Sequence, residues 1–304
     1  MNLPTVKQLR YFVALEKTEH FGKAAQACFV SQSAFSVAIR ELESLLGSQL
    51  VDRTNKTVTI TRVGKEVAAQ ANRCLRDIEY LTAIASHSEE PLSSRLTLGA
   101  IPTIAPFVLP KLLPALRDEF PDLQLYLHEG TTLSIYEKLI EGELDLLLIA
   151  LPYKLAGVEI LPLFKDHFEL ACREDTQFLD PKKDYVEEDL PAESILLLED
   201  GHCLRDHALS ACRIRNQDTV NRFSASSLAT LIEMVNSDLG VTYLTKMTKS
   251  APMLQHTKIK TWPLPNNPYR EIGMVWRKNS AQAEEFRILG EFIKNISGIQ
   301  HVSS

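Results

Sequence analysis

The sequence predicts an α/β protein in three parts: a helix-turn-helix head with a hairpin, one long helix, and a larger body. Three observations predict this. Short helical runs and one strand-like pair fill residues 1–61. A heptad seam runs through residues 62–86. From residue 95 onward, apolar strand-like runs alternate with helical ones, the signature of α/β layers. At roughly 150 residues per domain, the length of 304 residues suits two domains.

In the head, residues 7–16 place Leu9, Phe12, Val13 and Leu15 on one side of a helix. Residues 21–29 form a small-residue helix in which Ala24, Ala25 and Ala27 allow close approach. Ser31 is placed to cap a third helix that stops at Gly47. Phe35, Ile39, Leu42 and Leu46 recur there as a buried stripe. Gln32 lies at its start, and Ser33, Ser36, Val37 and Arg40 project elsewhere. Short polar side chains and one arginine suit a helix in a DNA major groove, reaching phosphates or base edges. Residues 57–60 read as a strand after an Asn55-Lys56 turn, with Arg53, Lys56 and Arg62 bordering a winged hairpin able to touch the DNA backbone. An ordinary three-helix bundle with a polar face fits the spacing as well.

Charge divides unevenly. Residues 1–65 hold nine basic and five acidic residues, +4, and the rest of the chain carries −10. A mildly basic head on an acidic body suits nucleic-acid binding at one end. Nothing approaches the ~18 uninterrupted apolar residues of a membrane span. Lys7, Arg10, Glu16, Lys17 and Glu19 interrupt any secretory signal core. A cytoplasmic protein without membrane contact is expected. Five cysteines are too few and too scattered for a disulfide scaffold.

The order AA…SQSAFS…IRELE…LG…DRT resembles the N-terminal domain of the LysR-type transcriptional regulators. Ser33 stands where that family usually has proline, and Val51 where it has an aromatic residue or leucine. The resemblance implies a winged helix-turn-helix over residues 1–61, with Ser31, Gln32, Ser33, Ser36, Arg40, Arg53 and Lys56 contacting double-stranded promoter DNA. Residues 62–90 are then a linker helix and hinge. Val67, Ala71, Cys74, Ile78, Leu81 and Ala85 form its seam, which pairs with another subunit or packs on its own domain.

In the body, strands are expected over residues 95–101, 123–128 and 144–150, and helices over 104–120 and 133–141, giving a βαβαβ unit with a buried parallel sheet. Residues 168–262 form a second cluster, including a helix over 227–238 followed by a strand. The body resembles the two-lobed, periplasmic-binding-protein-like effector domain of the same family, although Thr245 replaces a usual proline. Lobe I then takes residues 95–166 and 271–304, and lobe II residues 167–270. In such sheets ligands bind beyond the carboxyl ends of the strands, where Thr103 and Thr131-Thr132 emerge.

The stretch DGHCLRDHALSAC raises the question of redox chemistry. A helix over residues 203–212 separates its two cysteines by about 13.5 Å along the axis, on opposite sides. A disulfide needs Cα atoms within about 7 Å, so the helix and the bridge exclude each other. Cys203, in the first turn beside His202 and Arg205, is placed to favour a thiolate. Oxidation to sulfenic acid is then resolvable by a second thiol such as Cys212. Two inert small hydrophobes also fit the sequence, as does a zinc site of His202, Cys203, His207 and Cys212, in which Cys203 and His207 share a helical face and Cys212 lies on the far side.

GHCLRD with a second cysteine nine residues on, together with LHEGTT, IPTIAPFVLP and YREIGMVWRK, resembles the peroxide-sensing members of the LysR-type family across residues 9–278. That resemblance implies a reversible Cys203–Cys212 disulfide, with Cys203 the peroxidatic thiol and Cys212 the resolving one. It places Thr103, Thr132, His202, Arg205 and Asp206 around a peroxide pocket with Arg270 near it. Thr132 would hold the peroxide, with Thr131 the alternative one residue away. The implied partners are hydrogen peroxide, other copies of the chain in a homodimer or homotetramer, RNA polymerase, and thioredoxin or glutaredoxin as reductant. No cofactor or metal is implied. A family member answering to a small organic effector, and a thiol peroxidase enzyme, are the rival readings.

Overall fold

The computed structural model describes residues 3–53, 58–85, 91–179, 190–212, 214, 217–249 and 251–296. The chain divides into two compact units: Met1–Glu90 with Glu137–Leu144, and Pro91–Tyr136 with Asp145–Ser304.

In the first unit, α1 (Val6–Thr18) opens with a capping box between Thr5 and Gln8. His20 caps α2 (Phe21–Ala27), its Nδ1 accepting from the Gly22 and Lys23 amides. Ser31 caps α3 (Gln32–Leu46) by accepting from the Ala34 amide, and Gly47 closes it with φ +63°, a conformation suited to glycine. Ala24 and Ala25 are buried, so α2 packs close. Phe12, Leu15, Phe35, Ile39, Leu42 and Leu50 are fully buried, and Tyr11 stacks on Phe35 at 5.0 Å. Leu46, expected on the buried stripe, is instead 38% exposed, because α3 outruns the core at its last turn.

The hairpin pairs β1 (Val51–Arg53) with β2 (Val58–Ile60) antiparallel. The Asn55-Lys56 turn lies outside the described residues, as does the side chain of Arg53. Helix α4 (Arg62–Ala85) then begins flush against the hairpin. A Cβ at Gly64 would collide with the Leu50 carbonyl, so only glycine allows that approach. The seam divides in two. Val67, Ala68 and Ala71 turn inward, with Val67 and Ala68 packed against the head core. Further on, Ile78 and Leu81 stand 36% and 63% exposed. A helix of 24 residues is about 36 Å long and outreaches the head it starts on. The described part of the helix thus packs on its own domain at one end and keeps an uncovered apolar seam at the other.

The second unit follows the expected alternation and then departs from it. Strand β3 (Arg95–Ala100), α5 (Ala105–Glu119), β4 (Gln124–Glu129), α6 (Thr132–Ile140) and β5 (Leu146–Leu151) form the βαβαβ unit, with β4 and β5 both parallel to β3. Strand β5 is buried throughout, but β4 sits at the sheet edge and is largely exposed rather than buried. Strand β6 (Val158–Arg173) is one long element that the sequence did not suggest. The chain continues through β7 (Ile195–Leu198), α7 (Cys203–Ala211), β8 (Val220–Ala225), α8 (Leu228–Asn236), β9 (Thr242–Thr245) and α9 (Lys246–Lys249). It ends with β10 (Ile259–Pro263), β11 (Tyr269–Arg277) and α10 (Ala283–Asn295).

The main sheet runs β10-β6-β11-β5-β3-β4, with β9 also on β6. Its β6 and β11 additions are antiparallel, so the sheet is mixed. The first stretch of β6 pairs with β11, and from Phe168 onward it pairs with β9 and β10. Asp166 lies at that changeover, directly opposite Arg270. Among the described residues, no helix is long and apolar enough to cross a membrane.

Candidate functional site

Four chain reversals deliver the thiol site, each just past the carboxyl end of a strand. Thr103 follows β3, Thr132 opens α6 after β4, Pro152 follows β5, and Cys203 opens α7 after β7. Gly201, at φ +95°, makes the turn into α7. All five cysteines are thiols.

Cys203 is 4% exposed, and its Sγ lies 2.6 Å from Thr132 Oγ1, itself 1% exposed. Either atom can donate. The structure thus places Thr132 on the sulfur. Arg270 is 1% exposed. Its Nε donates to Asp166 Oδ2 at 3.0 Å, and its Nη1 and Nη2 donate to the Thr103 hydroxyl and carbonyl at 3.0 and 2.8 Å. The second Asp166 oxygen accepts from the Met247 amide at 3.1 Å. A buried carboxylate and guanidinium therefore satisfy each other and hold Thr103 in place.

Burial pushes the Cys203 thiol up; the Thr132 hydrogen bond, the Arg270 charge and its own helix-start amide pull it back without cancelling the rise. The sequence-based expectation of a thiolate set by the helix terminus is thereby corrected: desolvation outweighs it. Arg205 does not serve Cys203 either. Positions i and i+2 on a helix face different ways, and Arg205 donates to the Leu198 carbonyl and pairs with Asp200 at 2.9 Å. Asp206 is exposed and its charge raises the Cys203 pKa. His202 is half-buried and precedes the helix without a side-chain cap bond. Cys212 closes α7 and is half-buried.

Two groups at this site hold places the sequence did not assign: Asp166, and His207, which the sequence offered only as a zinc ligand. Asp166 gave no local signal, since Lys165, His167 and Glu169 beside it make its charge look like one of a solvated set. His207 is buried on the Cys203 face of α7, and its Nε2 lies 3.2 Å from the Pro152 carbonyl. Among the described residues no group of three or more His, Cys, Asp or Glu is arranged to hold a metal ion.

On the first unit, Ser31, Gln32, Ser33, Val37 and Arg40 are exposed along the start of α3, with Ser36 half-buried. Ser33 Oγ lies 3.1 Å from Ser31 Oγ, so the serine standing in for proline joins the cap. Lys56 lies outside the described residues.

A polar-fronted helix-turn-helix unit and an α/β unit with its site at strand ends define a DNA-binding regulator. The model of the bacterial regulatory helix-turn-helix protein, lysR family, matches residues 6–65, and that of the LysR substrate binding domain matches residues 89–296. The chain belongs to the LysR family of transcriptional regulators. It is 39% identical to the HTH-type transcriptional regulator EstR of Acinetobacter baylyi, covering 98% of this chain and 99% of the relative. It is 36% identical to the hydrogen peroxide-inducible genes activator of Escherichia coli O157:H7, covering 95% and 94%. Among solved structures, full-length OxyR from Pseudomonas aeruginosa with a cysteine-to-aspartate change matches at TM-score 0.78 and 32% identity, covering 99% of this chain and all of that one.

Proposed function

We propose that this regulator senses hydrogen peroxide through reversible Cys203–Cys212 disulfide formation and controls oxidative-stress genes. The observation that carries the reading is the Cys203–Thr132 contact, buried beside Arg270, in a helix that keeps Cys212 a full helix length away. The thiol sulfur attacks one peroxide oxygen, an S–O bond forms and the O–O bond breaks. The departing hydroxide takes the thiol proton, leaving Cys203 sulfenic acid and water. Cys212 then attacks that sulfur, and a second water leaves as the disulfide forms. Thiols of a thioredoxin or glutaredoxin system supply the two electrons for return. Thr103, Thr132 and Arg270 supply hydroxyls and positive charge to the peroxide, and His202 and Asp206 border the pocket, while Arg205 braces the turn into α7 through Leu198 and Asp200. Brief treatment with one equivalent of peroxide, followed by mass spectrometry under non-reducing digestion, is expected to give a Cys203–Cys212 crosslinked peptide. Its absence rejects the mechanism.

DNA contacts are assigned to Ser31, Gln32, Ser33, Ser36 and Arg40 on α3 and to Arg53 and Lys56 on the hairpin. Arg40→Ala is expected to weaken promoter binding and to reduce the slope of log affinity against log salt by about one, the share of one phosphate contact. A slope equal to wild type removes Arg40 from the backbone contacts. The exposed Ile78–Leu81 stretch of α4 fits pairing with a second copy, in a homodimer or homotetramer that meets RNA polymerase. The likeness to EstR, whose name mentions no peroxide, favours a second reading: a small organic effector bound between the lobes. That reading predicts intact signalling in Cys203→Ser and a melting temperature raised by a metabolite.

A further inference from the structure

We infer that His207 is a further residue of the thiol site, its Nδ1 accepting a hydrogen bond from the bound peroxide hydroxyl, so that sensing follows the protonation of this imidazole. The inference rests on the peroxide reading above. His207 stands one helical turn beyond Cys203, on the same face, where i and i+4 side chains are neighbours. It is 9% exposed. A carbonyl only accepts, so the Pro152 contact places the ring proton on Nε2. Nδ1 is then a bare lone pair, buried and with no hydrogen-bond partner among the described residues. Such an atom costs free energy unless something fills it, and a peroxide O–H donor does.

The charged and titratable groups around it are Arg270 from β11 and Asp206 and Cys203 from α7 itself. Tyr153, beside Pro152, feels both Cys203 and Asp206. Burial holds the imidazole below the ordinary histidine range; the Pro152 carbonyl pushes back, Arg270 adds to the lowering, and Asp206 opposes it. The ring is therefore neutral at neutral pH. It gains a proton only in acid, where Nδ1 turns from acceptor to donor and the added charge faces Arg270. His207 stays neutral through the reaction and only orients the peroxide: the sulfur still gives two electrons to the O–O bond, and its proton still leaves as water.

The test is the initial rate of Cys203 thiol loss to peroxide in the full-length protein, followed by mass spectrometry from about pH 5 to 8, the histidine window. His207→Leu is expected to be slower by about tenfold at neutral pH, the scale of one hydrogen bond. His207→Gln keeps an acceptor that does not titrate. It is expected to recover most of that loss and to keep only the pH dependence of the Cys203 thiol, without the additional one-proton fall in acid that wild type shows. Superimposable pH profiles for wild type and both variants overturn the assignment of His207. A wild-type Cys203 that peroxide does not oxidise at any pH overturns the peroxide reading itself, and this inference with it.

Discussion

Arg270→Ala is expected to destabilise the regulatory unit by about 3–5 kcal/mol, the cost of leaving one member of a buried ion pair alone. Asp166 and Arg270 are both without solvent-exposed side-chain surface. With the guanidinium gone, Asp166 keeps the Met247 amide as its described hydrogen-bond donor. A carboxylate in that setting must ionise at high cost or take up a proton. Thr103 also loses both of its guanidinium contacts. For a unit of this size the loss corresponds to a melting temperature lower by roughly 6–20 °C. Asp166→Leu combined with Arg270→Met is expected to recover most of that stability, because two apolar groups of similar volume leave no orphaned charge. Thermal unfolding of wild type and of both variants checks this. An Arg270→Ala variant within about 1 kcal/mol of wild type, the range of an exposed ion pair, would mean that water reaches the pair.

Stability and chemistry separate at this position. The same Arg270 charge pulls the Cys203 thiol down against the effect of burial. The double variant, although stable, should therefore react with peroxide only at higher pH than wild type. That ties a residue of the fold's central crossing to the reactivity of a sulfur on another element.

The local parts of this protein were legible in its sequence. Ser31, Gly47 and the 3.6-residue spacing of Phe35, Ile39 and Leu42 fix α3 by neighbours a few positions apart, and its ends fall where caps demand. The strand-helix alternation over residues 95–151 is legible for the same reason, since apolar runs and turn residues are local. What stayed hidden depends on distant pairing. Asp166 and Arg270 are 104 positions apart, and only the β6–β11 register brings them face to face. The exposure of Leu46 depends on where α3 outruns its core, which periodicity does not specify. Arg205 was misjudged because closeness in sequence was taken for closeness in space; the helix turns it to Asp200. His207 was visible in the sequence only as a possible metal ligand, because its contact with the Pro152 carbonyl comes from another strand end.

The second large effect concerns α7. Cys203→Ser should abolish the peroxide response, since no sulfur remains to form the sulfenic acid. Cys212→Ser should stop one step later, with Cys203 oxidised and the helix intact. The helix is held by Cys203, Leu204, His207 and Ala208, all buried. Taking Leu204 out of its packing alone costs about 1.5–3 kcal/mol. In the proposed mechanism, bridge formation must therefore drive an unwinding that the reduced protein resists, which would give the switch two separated states.

Hydrogen exchange at the amides from His207 to Cys212 tests this most directly, because these are the ones that intrahelical bonds protect. In wild-type protein oxidised to the Cys203–Cys212 disulfide, their protection is expected to fall by at least about tenfold, while Cys212→Ser treated alike keeps it. A crosslinked protein whose amides exchange as slowly as those of the reduced form would contradict the account, because the bridge would then have formed without unwinding the helix.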